Sequence, residues 1–326
     1  MLILNAAAVR QALPMRETIE AMKNAYAALS TGRANIPLRT NLSIPAQNAT
    51  ALFMPAYIPQ EEKDALTLKV VTIFPHNPPA GLPLLHAAVL VMDATTGQML
   101  ALLEGGTLTA IRTGAGGGAA ADLLARAESR TVAVFGAGVQ ARTQLEAVCA
   151  VRNIEKVWVY ALNPNRVDRF IAEMSTHINA VLTPAASPRQ ALAEADIVCA
   201  ATTTTTPLFD DADLQPGTHV TGVGSYTPAM IEIPPATVAR ARVVVDSRAA
   251  CQMEAGEIIR AVEQGRFDWH HAAELGEIVL GKQNGRTTPE QITYFKSVGV
   301  AVQDAFAAQL ALRNALKVGL GQEVRW

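Results

Sequence analysis

The segment "VAVFGAGVQAR" at 132–142 constrains this chain more than any other. Four apolar residues run into Gly136, a second glycine stands at 138, and Ala141 closes a GxGxxA spacing. In a strand–turn–helix setting each position has a physical use. The first glycine allows the tight turn, the second lets backbone approach a pyrophosphate, and the alanine permits close packing of helix on strand. The first N–H groups of the helix and its positive dipole end then point at the phosphates. Gly136, Ala137, Gly138, Val139, Gln140 and Ala141 are therefore expected to cradle a dinucleotide. By itself the spacing also fits a tight turn with no ligand.

The surroundings favour the first reading. Short apolar runs recur at 131–135, 156–160, 179–182, 196–201, 218–223 and 242–246, with helical stretches at 139–151, 164–176 and 188–194 between them. Strands of this length joined by helices predict βαβ units, and their unalternating apolar content predicts burial on both faces of a parallel sheet. The N-terminal part differs. A helix is expected over 14–31, followed by β-rich segments at 49–56, 65–73, 85–93 and 98–103 separated by Pro and Gly, a pattern of antiparallel strands. A helix over 107–127 leads into the first parallel strand, and its four glycines between 114 and 118 suit a close approach of backbone or ligand. A long amphipathic helix is read over 289–317. The fold class is thus α/β: a Rossmann-type doubly wound sheet over 118–304, plus a smaller α+β substrate and dimerisation domain from 1–117 together with 305–326. The 326 residues suit two domains.

Composition removes several classes of function. A net charge of −2, with 17% charged residues, gives no attraction to nucleic acid or an anionic membrane. No apolar run reaches the roughly 18 residues of a membrane span. The opening "MLILNAAAVRQALP" has no basic start, so no signal peptide is expected. The three cysteines are far apart and the six histidines form no metal motif, so neither disulfides nor a metal are expected, and a reducing cytoplasm fits.

Two regions bear on ligand choice. NAD enzymes usually place Asp or Glu at the end of the second strand, on the ribose 2′-hydroxyl. Here "VWVYALNPNR" has Ala161 after Tyr160, so a 2′-phosphate meets no repulsion. Asn163 and Arg166, with Arg142 in the first helix, are candidates to contact it. NADP(H) is favoured, with NAD(H) possible. Beyond the fourth and fifth strands, "ATTTTTPLF" and "GVGSYTPAM" bring Thr202, Thr203, Val223 and Gly224 to the end of the sheet where ligands bind, or are simply loops. In the N-terminal domain Lys69 interrupts an apolar strand, which is costly unless it reaches a cleft or a partner. With Arg39 and Arg112 it suits a carboxylate ligand, or a structural ion pair.

The chain resembles the ornithine cyclodeaminase/mu-crystallin family. The resemblance rests on "MP" at 54–55, "LKVVTIFPHNPPAGLP" (68–83), "LVMDATTGQMLALLEGGTLTAIRTGAGGGAAADLLA" (90–125), the glycine turn, "GVGSYTPAMIEI" (222–233), "VVVDSRAACQMEAGEI" (243–258) and "ITYFKSVGVAVQD" (292–304). It implies a homodimer, a nicotinamide cofactor and a small α-amino or α-imino acid as substrate. By resemblance, Arg39 and Arg112 hold the substrate carboxylate, Met54 lines that site and Lys69 is catalytic. His86, Arg112 and Ser297 match cofactor-lining positions of the mu-crystallin branch. One departure is informative: cyclodeaminases of the family carry Asp in a "GGDCPGK"-like loop after the fifth strand, where this chain has "GVGSYTP", with Ser225 or Tyr226 in its place.

The resemblance therefore implies an NAD(P)H-dependent reductase of Δ1-pyrroline-2-carboxylate or Δ1-piperideine-2-carboxylate, yielding proline or pipecolate. The alternatives are an ornithine cyclodeaminase, an alanine-type amino-acid dehydrogenase, and a non-catalytic NADP(H)-binding protein like the crystallins. The acidic "EAGE" segment (254–257) is expected to cap and solvate a helix.

Overall fold

A computed structural model describes residues 1–59 and 64–325. In chain order the elements are β1 (Leu2–Leu4), α1 (Ala6–Ala12), α2 (Met15–Ser30), β2 (Thr40–Ile44), β3 (Ala49–Ile58), β4 (Ala65–Ile73), β5 (Leu85–Met92), β6 (Met99–Glu104) and α3 (Gly105–Leu124). Next come β7 (Thr131–Phe135), α4 (Val139–Val151), β8 (Lys156–Tyr160), α5 (Pro164–Met174), β9 (Val181–Pro184), α6 (Pro188–Leu192), β10 (Ile197–Ala200) and β11 (His219–Gly222). The chain then forms α7 (Pro235–Arg240), β12 (Arg242–Val245), α8 (Arg248–Glu254), α9 (Gly256–Glu263), β13 (Ala273–Glu274), α10 (Leu275–Val279), β14 (Thr293–Lys296), α11 (Ala301–Val318) and β15 (Gln322–Glu323).

The elements sort into two compact units, Met1–Arg112 with Ala301–Trp326, and Thr113–Val300. The cuts fall inside α3 and at the start of α11, not at 117/118 and 304/305 as read from sequence. The physical reason at the second cut is that α11 packs on α2, β3, β4 and β5 from its first turn, which brings Asp304 into the first unit.

The first unit is built on a seven-stranded sheet of order β15-β1-β6-β5-β4-β3-β2. Its strands pair antiparallel except β1 with β6. Alternation along β4 explains the layer. Ala65, Thr67, Lys69 and Val71 are buried, and the intervening Leu66, Leu68 and Val70 are half-buried on the other face. Helix α2 ends where Gly32 takes φ +70°, a left-handed conformation that glycine adopts without a Cβ penalty. Helix α3 is capped by Glu104, whose carboxylate accepts from the Gly106 and Thr107 N–H groups at 2.6 and 2.8 Å.

The second unit carries eight parallel strands in the order β13-β12-β14-β11-β10-β7-β8-β9. The strand order reverses between β7 and β10, the switch point at which doubly wound sheets bind ligands. Six strands were expected, and β13 and β14 are additional. Strand β14 enters between β11 and β12, although 289–317 reads as one helix. A strand as short as the four buried residues "TYFK" cannot be told from a buried helix turn by periodicity. Gly299, at φ +84°, separates the strand from α11.

Two of the α3 glycines are explained by α4. A Cβ on Gly114 would collide with the Thr143 carbonyl, and one on Gly117 with the Gln144 side chain, which donates to the Thr113 carbonyl at 2.9 Å. Gly114→Ala adds a methyl that costs roughly 1–3 kcal/mol by overpacking, against about 0.5–1 kcal/mol gained in helix propensity. A net loss of stability is expected in denaturant unfolding.

Candidate active site

In the first unit, register places Met54 opposite Lys69 on the face of the sheet covered by α11. The Lys69 side chain is 3% exposed and its Nζ lies 2.6 Å from Asp304 Oδ2. Arg112 donates from Nε to Asp304 Oδ1 at 2.9 Å and from Nη1 to Gln303 Oε1 at 3.0 Å, and Gln303 donates to the Tyr26 hydroxyl at 2.7 Å. Two buried cations thus share one carboxylate and keep an excess positive charge that suits an anionic ligand.

Burial lowers the Lys69 pKa to about 8; the Asp304 carboxylate opposes this, and the positive charges of Arg112 and Arg39 add to it. Arg39, half-buried just ahead of β2, therefore acts on the same cluster. Asp304 is held below its ordinary range by Arg112 and Lys69, which outweigh its desolvation. His86 is not part of this group. It pairs in register with Thr72, three residues along β4 from Lys69, and so sits exposed on the opposite face of the sheet.

In the second unit Gly136 leaves β7 at φ +102°, with its N–H donating to the Tyr160 carbonyl at 2.9 Å and no room for a Cβ beside the Ala201 carbonyl. Gly138 opens α4 without a side-chain cap, and the space where its Cβ would stand is empty. Ala137 and Ala141 are buried, Val139 is exposed, and the buried Gln140 Oε1 has no partner among the described residues. Open space and uncapped N–H groups fit a pyrophosphate on this turn.

Several other candidates are already engaged. The Arg142 guanidinium turns inward, donating to the Ala137 and Gly138 carbonyls at 2.9 and 3.1 Å, pairing with Glu173 at 2.7 Å and lying 5.1 Å above the Phe170 ring. It braces the glycine turn. Asn163 caps α5 by accepting from the Arg166 N–H, and Arg166 is exposed. Thr203 is exposed, Val223 is buried and Gly224 is half-buried at the carboxyl ends of β10 and β11. The Thr202 hydroxyl donates to Glu232 at 2.9 Å. The Ser297 hydroxyl donates to Asp246 at 2.7 Å, and the same carboxylate accepts from the Val298 and Gly299 N–H groups.

Glu257 of "EAGE" is fully buried rather than solvated. It accepts from the Ser225 hydroxyl and the Tyr294 hydroxyl, each at 2.6 Å, and pairs with Lys296 at 2.9 Å. Ser225 is therefore spent inside the protein, and Tyr226, half-buried, is left as the side chain that can stand where cyclodeaminases carry Asp. Burial raises the Tyr226 phenol, which stays neutral at neutral pH.

The model of the ornithine cyclodeaminase/mu-crystallin family matches residues 1–318. The chain belongs to that family. A Δ1-pyrroline-2-carboxylate reductase of Bacillus cereus is 38% identical over the whole of both chains. The solved structure of Thermococcus litoralis Δ1-pyrroline-2-carboxylate reductase in complex with NADH and L-proline is 42% identical, covers 99% of this chain and 100% of that one, and superposes with a TM-score of 0.95. An archaeal alanine dehydrogenase dimer with bound NAD is 30% identical over 100% of this chain and 99% of that one, with a TM-score of 0.90.

The residues that sequence reading missed are Gln303 and Asp304. Their signal was present: two polar residues stand together in "VGVAVQDAFAAQLAL", where Gln309 is the one other polar residue. Asp304→Asn leaves Lys69 and Arg112 buried without a counter-charge, and a loss of about 3–5 kcal/mol is expected in denaturant unfolding.

Proposed function

We propose that this chain is an NAD(P)H-dependent reductase of small cyclic α-imino acids, converting Δ1-pyrroline-2-carboxylate to proline and Δ1-piperideine-2-carboxylate to pipecolate. The observation that carries the proposal is the buried Lys69–Asp304–Arg112 cluster, in which two cations share one carboxylate. The excess positive charge receives the substrate carboxylate, with Arg112 and Arg39 as its partners and Met54 lining the site. Lys69, with a pKa near 8, is an ammonium at neutral pH yet close to release of its proton. It keeps the imine nitrogen protonated, which makes the imine carbon the electrophile. Asp304 fixes both cations and excludes a disordered arrangement of charge. The reduced nicotinamide dinucleotide, when bound, supplies the hydride.

Residues 136–141 hold the pyrophosphate. With no carboxylate after β8 neither dinucleotide is rejected at the ribose, and NADPH is preferred through Arg166, Arg142 being committed elsewhere. Thr203, Val223, Gly224 and Ser297 belong to the nicotinamide side, with His86 assigned there by family resemblance alone. A cyclodeaminase is disfavoured because the loop after β11 offers a neutral phenol at Tyr226 and a spent hydroxyl at Ser225. The half-buried apolar face of the first sheet, with Phe53, Leu66, Leu68, Val70 and Leu90, is the surface that a second copy covers in a homodimer. The three cysteines are free, and the reaction is placed in the reducing cytoplasm.

The test follows NADPH and NADH absorbance with Δ1-pyrroline-2-carboxylate, with and without ammonia, and L-ornithine in parallel. Oxidation of the cofactor by the imine without ammonia is expected. Proline and ammonia formed from ornithine alone would overturn the proposal in favour of a cyclodeaminase, reductive amination of pyruvate that requires ammonia would favour the alanine-type dehydrogenase, and cofactor binding without turnover the crystallin-like reading.

The pH dependence has a definite sign. A lysine with a lowered pKa loses its proton as pH rises through about 8, where an ordinary lysine holds it to about 10.4. kcat/KM is expected to fall on the alkaline side near pH 8. Lys69→Arg should abolish that limb, and Lys69→Ala should lower kcat by about 10²–10⁴.

A further inference from the structure

Glu232, between β11 and α7, is fully buried. Both of its carboxylate oxygens are saturated by two loops. Oε1 accepts from the Thr202 N–H at 2.6 Å and the Thr202 hydroxyl at 2.9 Å, and Oε2 accepts from the Gly224 N–H at 2.7 Å and the Ser225 N–H at 3.0 Å. The backbone around it reinforces the link: Ile231 N–H donates to the Thr204 carbonyl at 3.1 Å, and Leu208 N–H donates to the Glu232 carbonyl at 2.9 Å. The loops so joined leave the adjacent parallel strands β10 and β11 at their carboxyl ends, on the ligand-binding end of a doubly wound sheet. They approach backbone to backbone at Gly224, where a Cβ would collide with both Thr202 backbone and Glu232.

A buried carboxylate is expensive, and desolvation pushes Glu232 above its ordinary pKa despite the opposing charge of Lys296 and the Thr202 bonds. Lys296 does not pair with it directly; that ammonium is bonded to Glu257, the Ser225 carbonyl and the Ser225 hydroxyl. What the charge at Glu232 accomplishes is chemically specific. Four donors converge on one group, and only a group with two acceptor oxygens serves them all. Glutamine fails in either orientation, because its amide nitrogen would face N–H donors.

We propose that Glu232 is a positioning residue for the nicotinamide half of the dinucleotide: it fixes loops 201–208 and 222–226 in the shape that receives that half, and, being fully buried, does not touch it. The proposal rests on the cofactor reading above. It also makes Thr202 part of the clamp rather than a free donor, since both its N–H and its hydroxyl are taken.

The test compares NADH with ADP-ribose, which keeps the pyrophosphate for the glycine turn and lacks the nicotinamide. Both are titrated onto wild type and Glu232→Gln, by fluorescence transfer for NADH and calorimetry for ADP-ribose. Glu232→Gln is expected to weaken NADH about ten- to hundredfold, the scale of one or two lost hydrogen bonds to a charged acceptor, and to leave ADP-ribose affinity within about twofold. Equal weakening of both ligands, as general damage to the domain produces, overturns the proposal, and so does unchanged NADH affinity. If Glu232→Gln does not fold, Thr202→Val carries the same comparison by removing one donor, with a smaller selective loss expected. A wild type that binds ADP-ribose but neither NADH nor NADPH overturns the cofactor reading itself and this proposal with it.

Discussion

Asp304 is the interaction on which the first unit turns. It reaches from the C-terminal helix to Lys69 on β4 and Arg112 on α3, so a segment at the end of the chain is tied to strands and a helix made near its start. Burying three charged groups costs several kcal/mol per ion before any attraction is counted. The arrangement survives because each cation has a partner and because α11 covers the sheet face on which Lys69 lies. The same geometry sets the acidity of the lysine. One carboxylate divided between two cations cannot fully offset the desolvation of the lysine, and the Lys69 pKa settles near 8.

Lys296 shows that burial alone does not set this outcome. It is as deeply buried as Lys69, yet its pKa is raised, because Glu257 and Glu232 both act on it and outweigh desolvation. Where carboxylates outnumber the lysine, the ammonium is locked and serves to hold the Ser225 loop. Where cations outnumber the carboxylate, the ammonium is poised to exchange a proton. The two units thus use the same residue type for support in one case and, in the proposed reaction, for chemistry in the other.

The glycine turn follows a similar division of labour. Gly138 leaves open space at the uncapped start of α4, while Arg142 braces the turn from behind through the Ala137 and Gly138 carbonyls. A cation beside a phosphate turn is readily taken for a ligand of the phosphate. Here it donates to two carbonyl groups and pairs with Glu173, and in that arrangement it stabilises the shape of the turn.

Local pattern carried much of this protein in the sequence. The GxGxxA turn, the strand–helix alternation and the period-two burial of β4 depend on neighbours within a few residues, and they were legible for that reason. So was the oddity of Lys69 in an apolar strand. Tertiary structure decided the rest. The lysine's partner lies on a helix at the far end of the chain, the Ser225 hydroxyl is withdrawn by Glu257, and β14 slides between β11 and β12 from a stretch that reads as helix. Each of these depends on which distant groups are brought within a few ångströms, and whether a charged side chain is paired, locked or poised is a property of that meeting, not of the residue or its neighbours in sequence.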